Sequence, residues 1–375
     1  MGKYEWDISK LIEKRNELER MYNANKDELT KEQLEVYRDL VRNYDIRIDG
    51  TEISFDHDED DEEFYPMDFF RNVIIPSVNV TQLDVVAGAA KIAKNYAVDL
   101  EPVILDQAKL NDEELVEITA SLFSQIPNIR LYKDFLRIVN SDEHCLLIKH
   151  YSNLPTEDYG LAFVDPIEHK SFGLVARQNS MSDVITLAHE ASHMILRKDE
   201  SPFFWKTPKR MYGEVEGYFI NLLFNDLLNQ NGYQVGEGFN IKDVNLVLTH
   251  IQDVFAAMKV IEYSPDNKTN FTRLITELKK HGIETPISER NVHFLLYPEF
   301  REDLDSSSSY LVALDLYKRY QEDPERTIDA LYSIPLLGGE HVYQELEKIG
   351  VTFFEDGYQN LDNQCKKLLK EKPVH

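Results

Sequence analysis

The stretch "TLAHEASHMILRK", residues 186–198, places two histidines four positions apart in an otherwise aliphatic run, with a glutamate directly after the first. On a helix, side chains at i and i+4 stand one above the other with Cβ atoms about 5–6 Å apart. His189 and His193 can therefore reach one Zn2+ ion at about 2.0–2.1 Å. Glu190 projects about 100° further round the helix, beside the ion, where a carboxylate can take a proton from water and return it to a leaving amine. A random His-Glu-x-x-His would arise in a chain of this composition with probability about 0.03. The competing reading is a pair of hydrogen-bonded core histidines. Burying two imidazoles and a carboxylate together is costly without a strong partner, and a divalent ion is the simplest one.

A catalytic zinc usually has three protein ligands and one open position. The extended motif that supplies a third histidine needs a glycine at 196 and a histidine at 199, where this chain has Leu196 and Asp199. Further on, "RMYGEVEGYFINLLFNDLL" reads as a second amphipathic helix with Glu214 and Glu216 at its start. Two helical residues apart means about 200°, so only one can face the ion, and spacing alone leaves both open. Val215, Phe219, Leu222 and Leu223 mark its packed side, while Glu214, Tyr218 and Asn221 share another stripe.

These helices need a frame. "SMSD", from Ser180 to Asp183, offers a capping box that predicts a helix start near residue 181. Before it, "HCLLIKHY", "YGLAFVD" and "SFGLVARQ" read as three aliphatic strands separated by Pro155, Pro166 and charged turns. Helices are expected from about 67 to 140 and from 180 to the end. Residues 5–45 read as two helices, "IRIDGTEISF" as a hairpin turning at Asp49-Gly50, and "DHDEDDEE", residues 56–63, as an acidic linker. The expected division is 1–66 as an N-terminal unit and 67–375 as a mainly α zinc-binding domain with a small β-sheet beside the histidine helix.

Composition narrows the function classes. With 375 residues, 42% hydrophobic, the chain can bury a sizeable core. Its net charge of -26 opposes nucleic acid and anionic lipid heads as partners. The first residues lack an apolar segment of signal-peptide length, and no run approaches the roughly 18 apolar residues of a membrane span, so a cytoplasmic location is expected. Cys145 and Cys365 form no framework, which suits a reducing compartment. His250 and His281 fall in amphipathic helices, where a boundary role is the default. The sequence leaves the oligomeric state open.

"FGLVARQNSMSDVITLAHEASH" resembles the thimet oligopeptidase and oligoendopeptidase F family, whose members present an aliphatic strand, a polar turn and Thr-Leu-x-His-Glu-x-Gly-His. "GEVEGYFINLLFNDLL" is similar to that family's second zinc helix, and "YLVALDLYKRY" with the Gly-Gly turn at 338–339 to its closing helices. The likeness spans about residues 160–370. It implies a helical clamshell, one zinc ion held by His189, His193 and Glu214, Glu190 as the base, and endopeptidase action on oligopeptides or unfolded polypeptide. It also implies oxyanion contacts from His293, with Tyr297 or Tyr310 standing in where the expected tyrosine-rich stretch reads "REDLDSSSS". Ser192 replaces the family's glycine, and the N-terminal part is shorter than usual. Two other readings share the motif: a regulatory protease of the ImmA type that cuts one protein, and a non-catalytic zinc- or peptide-binding descendant.

Overall fold

A computed structural model describes residues 8–26, 41, 44, 71, 80–96, 110–140, 146–150, 160–165, 170–177, 179–197, 213–233, 238–264, 269–283, 300–334, 347 and 357–370. Among these, the chain is mainly helical with one small sheet. Helices α1 (Ile8–Asn25), α2 (Val80–Tyr96), α3 (Asp112–Gln125) and α4 (Ile129–Val139) precede strands β1 (Leu146–His150), β2 (Gly160–Asp165) and β3 (Lys170–Arg177). Then follow α5 (Ser182–Leu196), α6 (Val215–Gln230), α7 (Gly238–Glu262), α8 (Phe271–Lys280), α9 (Phe300–Glu322), α10 (Pro324–Ser333) and α11 (Gly357–Lys370).

The sheet order is β1-β3-β2, with β1 parallel and β2 antiparallel to the central β3. A central strand covered on its faces must be apolar throughout, and Gly173 to Ala176 are all buried. Helix α5 lies directly on this sheet. Gly173 permits the close approach, because a Cβ there would come within 2.5 Å of Met194 Sδ. Ser171 Oγ adds a 2.7 Å hydrogen bond to the Met194 carbonyl.

The turn into α5 is built differently from the expected capping box. The N-cap is Met181, with no side-chain capping bond. Asp183 is instead drawn to Arg177, whose buried guanidinium donates to Asp183 Oδ2 at 2.7 Å, to Asp112 Oδ1 at 2.7 Å and to the Leu110 carbonyl at 2.6 Å. The same Asp183 oxygen accepts from the Asn179 amide, and Asn179 holds the left-handed φ of 59° that asparagine tolerates in tight turns. A buried cation thus joins the start of α3, the end of β3 and the first turn of α5, where Asp183 also suits the positive end of the helix dipole.

Every residue of α5 is buried except His189, which is partly exposed. Helix α6 packs along α5, and α7, α9 and α2 complete the core. By length and composition, Ile241–Glu262 of α7 could cross a membrane, with mean hydropathy 1.3, and half of that window is buried. Its neighbours α2 and α9 supply an apolar environment within the protein. Near the N-terminus, Leu18 of α1 packs with Tyr44 in a separate cluster. The hairpin at 46–55 and the acidic run 56–63 lie outside the described residues.

Candidate metal and catalytic site

Three donor atoms converge between α5 and α6. His189 Nε2 and His193 Nε2 are 3.1 Å apart, and Glu214 Oε2 lies 3.2 Å from each. Donors bound tetrahedrally at about 2.0–2.1 Å stand about 3.3 Å from one another, so the triangle has the size a zinc ion requires. Among the described residues this is the one group of three that could hold a metal.

The rear nitrogens of both rings are already committed. His189 Nδ1 meets Asn221 Oδ1 at 3.1 Å, and the Asn221 amide nitrogen donates to Asp243 Oδ2 at 2.8 Å. Because a carboxylate only accepts, Asp243 fixes the amide with its oxygen toward the ring, and the His189 Nδ1 proton must point there. His193 Nδ1 donates to Glu216 Oε1 at 3.0 Å, and Glu216 is ion-paired with Arg197. Both Nε2 lone pairs therefore face the Glu214 carboxylate. Three electron-pair donors this close repel unless a cation, a proton or a metal, sits among them.

The titration behaviour reflects that demand. Burial would lower the His189 pKa, but the hydrogen bond to Glu214 and the charges of Glu190, Glu214 and Asp243 outweigh it and raise it to about 9. Burial would raise Glu214, yet the His193 charge and the hydrogen bonds from both histidines hold it well below the ordinary carboxylate range. Glu216 is lowered too, burial being overcome by the Arg197 charge and the His193 hydrogen bond. Glu190 moves the other way, raised chiefly by burial. An elevated carboxyl suits a group that must carry a proton.

Two glycines make room for these side chains. A Cβ on Gly217 would come within 2.3 Å of His189 Cε1, and one on Gly160 of β2 within 2.1 Å of Glu190 Oε1. Ser192, where the family motif has glycine, fits by donating its hydroxyl to the His189 carbonyl at 2.7 Å.

Tyr310 lies elsewhere. It is fully buried in α9, edge-on to Tyr218, and its hydroxyl has no hydrogen-bond partner among the described residues. The Tyr218 ring centroid is 5.1 Å from that of Tyr310 and 6.2 Å from that of His189. The Tyr310 ring is used in the core. His293, Tyr297 and Asp199 lie outside the described residues. Sequence reasoning missed the rear partners. Arg197 follows His193 by four and Asn221 follows Glu214 by seven, so helical spacing could have found both; Asp243 comes from a different helix.

No family model and no curated protein matches the chain. Solved structures do. A Chlamydophila abortus protein classed as a peptidase aligns with TM-score 0.54 and 12% identity, covering 95% of this chain and 62% of its own. A Bacillus anthracis protein classed as an oligoendopeptidase F aligns with TM-score 0.47 and 11% identity over 93% of this chain and 64% of its own. The first match shows that this chain shares the fold of that structure. It spans about 62% of that structure's length.

Proposed function

We propose that the chain is a zinc-dependent endopeptidase acting on oligopeptides or unfolded polypeptide. The observation that carries this reading is the donor triangle His189, His193 and Glu214, whose rear hydrogen bonds leave its lone pairs facing one another. The set fits zinc by size and donor type. When bound, the ion would supply Lewis acidity toward a peptide carbonyl and toward water. Glu190, buried at the edge of this site with a raised pKa, accepts the proton from the attacking water and hands it to the departing amine. Asn221 and Glu216 hold the two imidazoles in the tautomer that leaves Nε2 free.

The test is peptide hydrolysis by wild type and Glu190→Gln, with zinc measured in both. The reading expects cleavage by the wild type, a loss of at least about a hundredfold in the variant, and full zinc occupancy in each. A wild type that binds zinc and cuts neither peptides nor unfolded protein would sink the enzyme and leave a binding protein.

A further inference from the structure

The serine run that replaces the family's tyrosine-rich stretch has a division of labour. Ser307 and Ser308 turn back on their own helix, Ser307 Oγ donating to the Asp303 carbonyl at 2.6 Å and Ser308 Oγ to that of Leu304 at 2.7 Å. Ser306 and Ser309 reach across to α6. Ser306 Oγ meets Tyr218 Oη at 2.6 Å, and Ser309 Oγ accepts from the Glu214 amide at 3.2 Å. Asp305, four residues before Ser309 and hence on the same face, accepts the Gly213 amide with both carboxylate oxygens at 3.0 Å.

These contacts resolve a conflict at the start of α6. Glu214 is the N-cap, with φ -116° and ψ 7°. An N-cap side chain ordinarily folds back to accept from the second or third amide of its helix. Glu214 makes no such bond, because its carboxylate is extended to the two imidazoles. The Glu214 carboxylate is thus committed to the imidazoles and moves with the backbone that carries it, which the bonds from the Gly213 and Glu214 amides to α9 tie down. Asp305 supplies a negative charge and Ser309 a hydroxyl acceptor from outside, at the end of the helix where the dipole favours an anion.

Resting on the zinc-site reading above, we infer that Asp305 and Ser309 of α9 are positioning residues that tie down the backbone entering α6 and hold Glu214 between His189 and His193. They touch neither ion nor substrate. Their effect reaches the site through the backbone of residues 213 and 214.

The experiment measures zinc affinity by chelator competition, and backbone amide exchange at 213–214 in metal-free protein. The variants are Asp305→Ala, Ser309→Ala, Asp305→Asn and Ser307→Ala. Asp305→Ala and Ser309→Ala should each weaken zinc by about tenfold or more, the range seen when groups behind metal ligands are removed. Amide exchange at 213–214 should rise in both, with the rest of the chain protected as in wild type. Asp305→Asn keeps an oxygen for the Gly213 amide and should recover most of the affinity. Ser307→Ala, which loses only a bond within α9, should bind as wild type does. Equal affinity in all variants, or a loss in Ser307→Ala as large as in Ser309→Ala, would overturn the inference and leave the zinc site standing. A wild type that binds no zinc would instead remove the site reading and the inference with it.

Discussion

At the scale of single residues, the site depends on atoms that are missing as much as on those present. Gly217 sits in the first turn of α6, where alanine would ordinarily stabilise the helix by about 0.5–1 kcal/mol. Here a methyl group would fall 2.3–2.7 Å from three atoms of the His189 ring. The ring cannot yield freely, since Nδ1 is tied to Asn221 and Nε2 is one corner of the donor triangle. Gly217→Ala should therefore keep its helical content while zinc affinity falls about tenfold or more, read by competition with a chromophoric chelator. Unchanged affinity would mean that the His189 position is not needed for the ion. The histidine pair and Glu190 were legible in the sequence because their geometry is local to one helix. The choice between Glu214 and Glu216 was not legible from spacing, and only the family resemblance pointed to Glu214. The 200° argument assumes that both residues are helical, whereas Glu214 is an N-cap with non-helical angles. Each carboxylate in fact reaches the histidines, Glu214 from the donor side and Glu216 from behind His193.

At the scale of elements, the small sheet works as a template for α5 and as the wall against which Glu190 is held. The three strands were legible from their aliphatic runs, and the two helices that carry the donor triangle from periodicity. The device that joins them was not, because Arg177, Asp183 and Asp112 are brought together from three elements, and the capping-box pattern pointed Asp183 to a different partner. The role of "DSSSS" was equally hidden, since a serine's partner depends on the neighbouring helix. Gly160 offers an element-level test. A glycine weakens a strand interior, so alanine should be tolerated by β2 itself. The new Cβ would come within 2.1–2.5 Å of the Oε1, Cγ and Cδ atoms of Glu190, which must swing aside. Gly160→Ala should therefore hydrolyse peptides about a hundredfold more slowly or worse, with zinc content and thermal stability near wild type. Equal turnover would show that the position of Glu190 against β2 is immaterial.

At the scale of the whole molecule, the donor triangle links folding to both proton and metal. In the metal-free protein His189 has a pKa raised to about 9 from an ordinary 6.5. A raised value means that the folded state holds the proton more tightly than the unfolded chain, so this group stabilises fully below pH 6.5 and loses that contribution as pH climbs through 9. Glu214, held low, gives the mirror term, present above its ordinary value and lost as pH falls beneath it. Zinc must displace the His189 proton, so at a fixed free concentration its affinity grows across the same window, by about tenfold per pH unit while that proton is still bound. Bound ligand raises stability by RT ln(1 + [L]/Kd), so each tenfold in affinity adds about 1.4 kcal/mol. Both effects come from one proton: from pH 6.5 to 9 the metal-free protein weakens as His189 loses it, and the contribution of zinc grows by the same amount. The gap between melting temperatures in metal-buffered zinc and in chelator should widen steadily over that range, and scanning calorimetry at three or four pH values would read it. A gap that stays constant or narrows would show that no proton shares the site with the metal, and the donor triangle would then need another explanation.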